Sequence, residues 1–231
     1  MKENVNPNLY LKVRKKGFQP SHVAEIGVWH PNTSNVYQFT EDGIRTTLVE
    51  PDPASIILIK SKYQNKSNVS LHEAAICDFN GEVELIKRES SSFISTLPNS
   101  PALANDEFNI QKTDKIKVKA RLFSDFDDGT IDLIAIDTEG SEWFVLKNMI
   151  SRPIIISIET HGGKYINPYV EHILNWVNEN NYQLWYKDRS DSVFVLKDRI
   201  QVTFLERINI IKSNFLIKFL SFKKRLSKAF N

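Results

Sequence analysis

The chain has 231 residues, 41% of them hydrophobic and 11% aromatic, which is enough apolar material for one substantial core and excludes a disordered protein. Its start, MKENVNPNLY, lacks the apolar stretch of a signal peptide, no apolar run approaches the length of a membrane span, and the single cysteine, Cys77, excludes an internal disulfide framework, so a cytoplasmic protein is expected. The net charge of +2 is uneven: residues 207–231 carry seven basic side chains and no acidic ones, which leaves residues 1–206 at −5, a balance that offers nucleic acid no general basic face.

In chain order, VAEIG at 23–27 reads as a first strand and TTLVEP at 46–51 as a second, while the stretches 34–42 and 54–66 have the length of crossover helices. NVSLHEAAIC at 68–77 reads as a third strand. GEVELIKRE at 81–89 alternates like a strand after the Asn80-Gly81 turn signal, and IKVKARLF at 116–123 reads as another. The segment from Ser90 to Lys115 holds three consecutive serines, Pro98 and Pro101 without sustained periodicity. It reads either as a lid or binding loop or as plain surface disorder.

Next come Ile131, Leu133, Ile134, Ala135 and Ile136, a nearly continuous apolar run suited to a parallel strand covered on both faces. Asp137 and Glu139 follow where that strand ends. Ser141 can cap a helix with Trp143, Leu146 and Ile150 as its apolar face, and Gly140 eases the turn into it. PIIISIET at 153–160 is a further apolar strand, followed by a helix over about 169–180 with Ile173, Trp176 and Val177 inward. YQLWYKD at 182–188 and SVFVLKD at 192–198 pair antiparallel across a turn at 189–191. The sum is an α/β fold: a mostly parallel sheet with an antiparallel closing pair and helices on both faces. Residues 1–19 form an N-terminal extension, 20–200 one domain and 201–231 a basic amphipathic tail.

Ligands of open α/β sheets bind outside the carboxyl ends of the strands, so Asp137 and Glu139 point to a site, although the same carboxylates could serve only to cap a helix. Glu50 lies 23 residues beyond Gly27 at the tip of the second strand, the spacing at which an acid takes a ribose diol. The intervening turn, VAEIGVWHPNTS, has a single glycine, too little for the close approach of a pyrophosphate, and no P-loop pattern is present. S-adenosylmethionine carries a ribose and a sulfonium cation but no phosphate, and the acidic tips Glu25, Glu50, Asp137 and Glu139 favour a cation.

In the same order, VAEIG, LVEPDP, EAAICDFNGEVEL and IDLIAIDTEGSEWFVL resemble the FkbM family of S-adenosylmethionine-dependent methyltransferases over roughly residues 20–198. The resemblance implies a Rossmann-like class I methyltransferase fold and, for many members, O-methylation of sugars or secondary metabolites in glycan or polysaccharide pathways. By position it implies that Glu25 and Gly27 belong to the first cofactor motif, that Glu50 is the ribose acid, that Ala75 and Ile76 lie near the adenine, and that Asp137 and Glu139 form the acidic motif. The chain departs at the first motif: where members commonly read D-x-G-A-N-x-G, it has Glu25 in place of the aspartate and lacks the second glycine.

Methyl transfer to a hydroxyl is a direct displacement whose main requirement is orientation, with a base to take the proton. Glu139 and His161, each just beyond a predicted inner strand, are the candidate bases, and His161 also reads as an ordinary loop histidine. Asp137 and Glu159 have the oxygen donors that hard divalent cations take, but no metal is assigned. His30 borders the first turn; His22, His72 and His172 read as surface or core residues.

In the tail, Ile208, Ile211, Phe215, Phe219, Phe222 and Leu226 recur at helical spacing, flanked by Lys212, Lys218, Lys223 and Arg225. That pattern suits a membrane interface, a partner or second copy, or packing on the domain. The expected function is O-methylation of a small-molecule or glycan acceptor, with peripheral membrane contact or partner docking through the tail and no nucleic-acid partner. A catalytically silent binding or scaffold protein on the same fold is one alternative. A nicotinamide-dependent sugar oxidoreductase, lacking its glycine pattern, is the other.

Overall fold

The computed structural model describes residues 7–87, 92–97, 100, 115–162, 165–188 and 190–213. Most of the loop expected over 90–115 and the tail beyond 213 lie outside these residues.

The central sheet is built from β1 (His22–Ile26), β2 (Arg45–Val49) and β3 (Val69–His72), then β8 (Leu133–Ile136), β9 (Ile155–Glu159), β12 (Tyr182–Lys187) and β13 (Asp191–Leu196). Its spatial order is β12-β13-β9-β8-β1-β2-β3. From β3 to β9 all neighbours run parallel, and β13 is antiparallel to both β9 and β12. This is the mostly parallel sheet with an antiparallel closing pair that the apolar runs imply. The order reverses between β1 and β8, which makes the ends of those two strands the switch point where open α/β sheets hold ligands.

Both faces are covered, which explains the unbroken apolar character of the inner strands: β1 and β9 are buried at every position. Val23, Leu48, Leu133, Ile155 and Val193 point into one core with α1 (Pro7–Lys15), α2 (Tyr37–Glu41) and α3 (Pro53–Tyr63). Ala24, Val49, Ile134, Ile156 and Phe194 point into the other with α4 (Glu142–Lys147) and α5 (Val170–Glu179). Successive residues of one strand serve opposite faces because the side-chain period is two. α3 begins at Asp52, whose carboxylate accepts from the Ala54 amide at 2.8 Å, with Pro53 at the first helical position. Leu9 and Val13 of α1 are buried in the first core, and Lys16 just beyond it bonds Glu206 at 2.7 Å, so both ends of the described chain pack on one side.

Three expectations are corrected. The strand expected over 68–77 is two: β3 edges the main sheet, while β4 (Ala75–Ile76) joins a second sheet, β4-β7-β5-β6, with β5 (Gly81–Ile86), β6 (Phe93–Ile94) and β7 (Lys115–Arg121). The two stretches abut without a glycine or proline, so only the choice of partner strand separates them. The helix after Ser141 ends at Lys147, and Ile150, expected on its apolar face, is exposed while Met149 is buried. Ser141 makes no side-chain cap; the Glu142 carboxylate instead accepts from the amides of Thr138 and Gly140, each at 3.0 Å.

Candidate active site

A cleft of about 150 Å³ opens at the carboxyl ends of β1, β2 and β8 and is walled on the far side by the second sheet. Glu25, Gly27, Glu50, Ala75, Ile76, Asp137 and Glu139 all line it. His161, on β10 (His161–Gly162), does not; its Nδ1 instead lies 2.9 Å from the Thr160 hydroxyl.

Gly27 joins the two halves of the cleft. Its φ is +82°, and a Cβ built there would lie 1.8 Å from the Asp137 carbonyl oxygen, so neither the conformation nor the space admits a side chain. The first turn is held by Glu50, whose Oε2 accepts from the amides of Val28 and Trp29 at 2.8 and 2.9 Å, while Oε1 accepts from Asp52 at 2.9 Å. Three of the roughly four acceptor positions of this carboxylate are therefore taken by backbone. Burial pushes the Glu50 carboxyl up against the pull of those amides. Glu25 is tied in the same way: its Oε1 accepts from the backbone and side-chain amides of Asn35 at 2.8 and 3.1 Å, and its Oε2 from the Ser34 hydroxyl. Burial outweighs these bonds and raises its pKa to about 7.

The other half of the cleft is the acidic turn 137–142. Glu139 has φ +58° and Gly140 φ +117°, and the Glu142 carboxylate, fully buried, spans the turn from inside while also accepting from Asn167 Nδ2. Oxygen atoms of Asp137, Glu142 and Glu159 all lie within 4.8 Å of one another. At that separation and an effective dielectric of about 20, two full charges repel by roughly 3–4 kcal/mol, so three bare carboxylates do not coexist there. Burial first, and then the charge of neighbouring acids, Glu139 foremost for Asp137 and Asp137 foremost for Glu159, pushes the Asp137 and Glu159 carboxyls well above the carboxylate range. This set can hold protons or a cation.

Sequence reasoning passed over Glu142, Tyr165 and Asn167 as site residues. For Glu142 a signal existed, since Asp137, Glu139 and Glu142 put three acids into six positions at one strand end. Tyr165 and Asn167 carried none, because they reach the turn from a strand pair that no periodicity announces.

The strand order with its antiparallel last partner, helices on both faces and an acidic cleft at the switch point define a Rossmann-like class I methyltransferase architecture. The methyltransferase FkbM domain matches residues 21–184, and the chain belongs to that family. S-adenosylmethionine is the cofactor that goes with the assignment. No curated protein matches the sequence significantly. Among solved structures, the ribosomal protein L11 methylase from Lactobacillus delbrueckii subsp. bulgaricus is similar at 10% identity over 85% of this chain and 80% of that one, with a TM-score of 0.44. A SAM-dependent methyltransferase from Aquifex aeolicus is similar at 9% identity over 81% and 88%, TM-score 0.40. The Aeropyrum pernix fibrillarin with natively bound S-adenosyl-L-methionine is similar at 9% identity over 80% and 72%, TM-score 0.40. Likeness of this degree carries no argument about function.

Proposed function

We propose that the chain methylates a hydroxyl of a sugar or glycan-pathway acceptor, using S-adenosylmethionine. The observation that supports this reading best is the convergence of Glu25, Gly27, Glu50, Ala75, Ile76, Asp137 and Glu139 on one cleft. The donor set suits the cofactor: the last acceptor position of Glu50 is available to a ribose hydroxyl, Ala75 and Ile76 offer an apolar shelf to an adenine, and Glu25 and Asp137 bring negative charge to its cationic end. When bound, the cofactor supplies a methyl activated by its sulfonium, which moves to the acceptor oxygen as the C–S bond breaks and sulfur keeps the electron pair. The protein's task is to hold the acceptor oxygen in line, where effective molarities reach about 10⁵ to 10⁸ M. Glu139 takes the hydroxyl proton in this reading, and His161, off the cleft wall, is the second candidate base. Glu139→Gln is expected to lower kcat about 10²- to 10⁴-fold with KM for the cofactor little changed.

One observation favours a catalytically silent relative: the carboxylates of Glu25 and Glu50 are already largely occupied by the protein's own donors. Calorimetry with S-adenosylmethionine and with NAD separates the cofactor classes, the second testing the sugar-oxidoreductase alternative, and a methyl-transfer assay on sugar acceptors then exposes a silent binder. Binding of S-adenosylmethionine with transfer is the expected result, and binding of neither compound would overturn the reading.

No helix among the described residues is long and apolar enough to cross a membrane. The helical stretch 204–213 nevertheless leaves Phe204, Leu205 and Ile211 exposed, and the basic amphipathic pattern runs on to the chain end. In the proposed reading residues 207–231 bring the enzyme to an anionic membrane surface where glycans are assembled. Co-sedimentation with anionic liposomes should fall on deleting residues 207–231; an unchanged result would refute this part.

A further inference from the structure

Asp137 directly follows β8, Glu142 opens α4 and Glu159 ends β9, and the pairing of Ile136 with Ile158 brings the first and third of these side by side. No lysine or arginine among the described residues forms an ion pair with any of the three. A second observation falls at the same place. Glu159 Oε2 and the Tyr165 hydroxyl are both buried without a hydrogen-bond partner, and Tyr165 is only 1% exposed. Tyr165 lies on β11 (Tyr165–Ile166) directly opposite Gly162, and a Cβ at Gly162 would stand 3.9 Å from Glu159 Oε1. The phenol is accordingly pushed up by burial and then by the charges of Glu142, Glu159, Glu139 and Asp137. A buried hydroxyl and a buried carboxylate oxygen left unbonded are costly, and hydration around a cation would satisfy both.

We propose that Asp137, Glu142 and Glu159 form a binding site for a hard divalent cation, Mg²⁺, Mn²⁺ or Ca²⁺, at the wall of the cleft. The donors are oxygens throughout, which selects hard ions over zinc or copper. The oxygens lie within 4.8 Å of one another, near enough for one ion with oxygen distances of about 2.0–2.6 Å to draw all three around it. Asp137 belongs to both the cluster and the cleft, so the ion sits where an acceptor hydroxyl must approach. There it lowers the cost of deprotonating that hydroxyl and orients it. That role rests on the methyltransferase reading; occupancy of the site does not.

Mn²⁺ alone is the probe, titrated into the full chain while the free ion is followed by electron paramagnetic resonance. One equivalent should bind with a dissociation constant of about 10⁻³ M or tighter, Ca²⁺ and Mg²⁺ should displace it, and Glu159→Gln and Asp137→Asn should each weaken it about tenfold or more. Glu142→Gln is less suitable, because Glu142 also braces the turn; Glu159→Gln, with circular dichroism to verify folding, carries the test. Absence of bound Mn²⁺ at millimolar concentration, or an affinity unchanged by Glu159→Gln, would overturn the site. Calorimetry with S-adenosylmethionine on the same preparation separates the two readings: cofactor binding without manganese sinks only this one, and manganese binding without the cofactor sinks only the methyltransferase.

Discussion

The two halves of the cleft use the same residue type in opposite ways. At the tips of β1 and β2, Glu25 and Glu50 are wrapped by backbone amides and by Ser34 and Asn35, so the bonds their oxygens accept already hold the first turn in shape. At the tips of β8 and β9, Asp137 and Glu159 lie beside Glu142 with no lysine or arginine among the described residues paired to them and with the Tyr165 hydroxyl and one Glu159 oxygen unpaired. A carboxyl group whose oxygens are taken by donors braces the backbone around it, and one crowded by other acids destabilises the fold until something positive arrives. The first half is therefore built largely by the protein alone, and the second is completed by what it binds.

Gly27→Ala should have the largest effect, because it drives a Cβ into the Asp137 carbonyl that links the halves and does so at a positive φ. A loss of about 3 kcal/mol or more, or failure to fold, is expected in urea denaturation; a change under about 1 kcal/mol would mean that the halves are not locked together there. Glu50→Ala should come next. It strands the amides of Val28, Trp29 and Asp52, for a loss on the order of 2–4 kcal/mol together with cofactor binding, whereas Glu50→Gln keeps one acceptor oxygen and should cost less. Equal effects of the two variants would show that charge matters more than the bonds.

Glu25 is expected to show its burial through pH. Its folded pKa of about 7 lies above the unfolded value, so the folded state holds its proton longer. This contribution to stability is present in full below about pH 4.5 and is lost as pH rises to about 7, on the order of 3 kcal/mol in all, with no further change above. Glu25→Gln should remove that part of the slope from the pH dependence of unfolding. The smallest effect, and the one of opposite sign, should be Glu159→Gln in metal-free buffer. Relieving one member of a crowded acidic set is expected to leave the melting temperature unchanged or raise it by a few degrees. A fall of several degrees would mean that Glu159 is satisfied as Glu50 is, and the contrast between the halves would be gone.

The inner strands were legible because their burial on both faces writes itself as continuous apolar runs, as in Ile131 to Ile136 and Ile154 to Ile158. The acids at their ends were legible for the same reason, since a polar residue closing such a run marks where the strand leaves the core. Residues 68–77 were not, because two short apolar pieces look alike whether they join one sheet or two. Nor was His161 distinguishable from a cleft residue: its position just past an inner strand is the same whether the chain turns towards the cleft or away into β10. Glu142 read as the start of a helix, and only the folded turn brings its oxygens to Thr138, Gly140, Asp137 and Glu159.

Sequence alone determined which strands run through the core, the class of fold they build and the family, because periodicity and local motif are properties of neighbours along the chain. Which carboxylates are bonded and which are crowded was decided by tertiary structure. Hydrogen bonds and charge repulsion depend on distance in space, and Asn167, Tyr165 and Ser34 approach these acids only after the strands have paired.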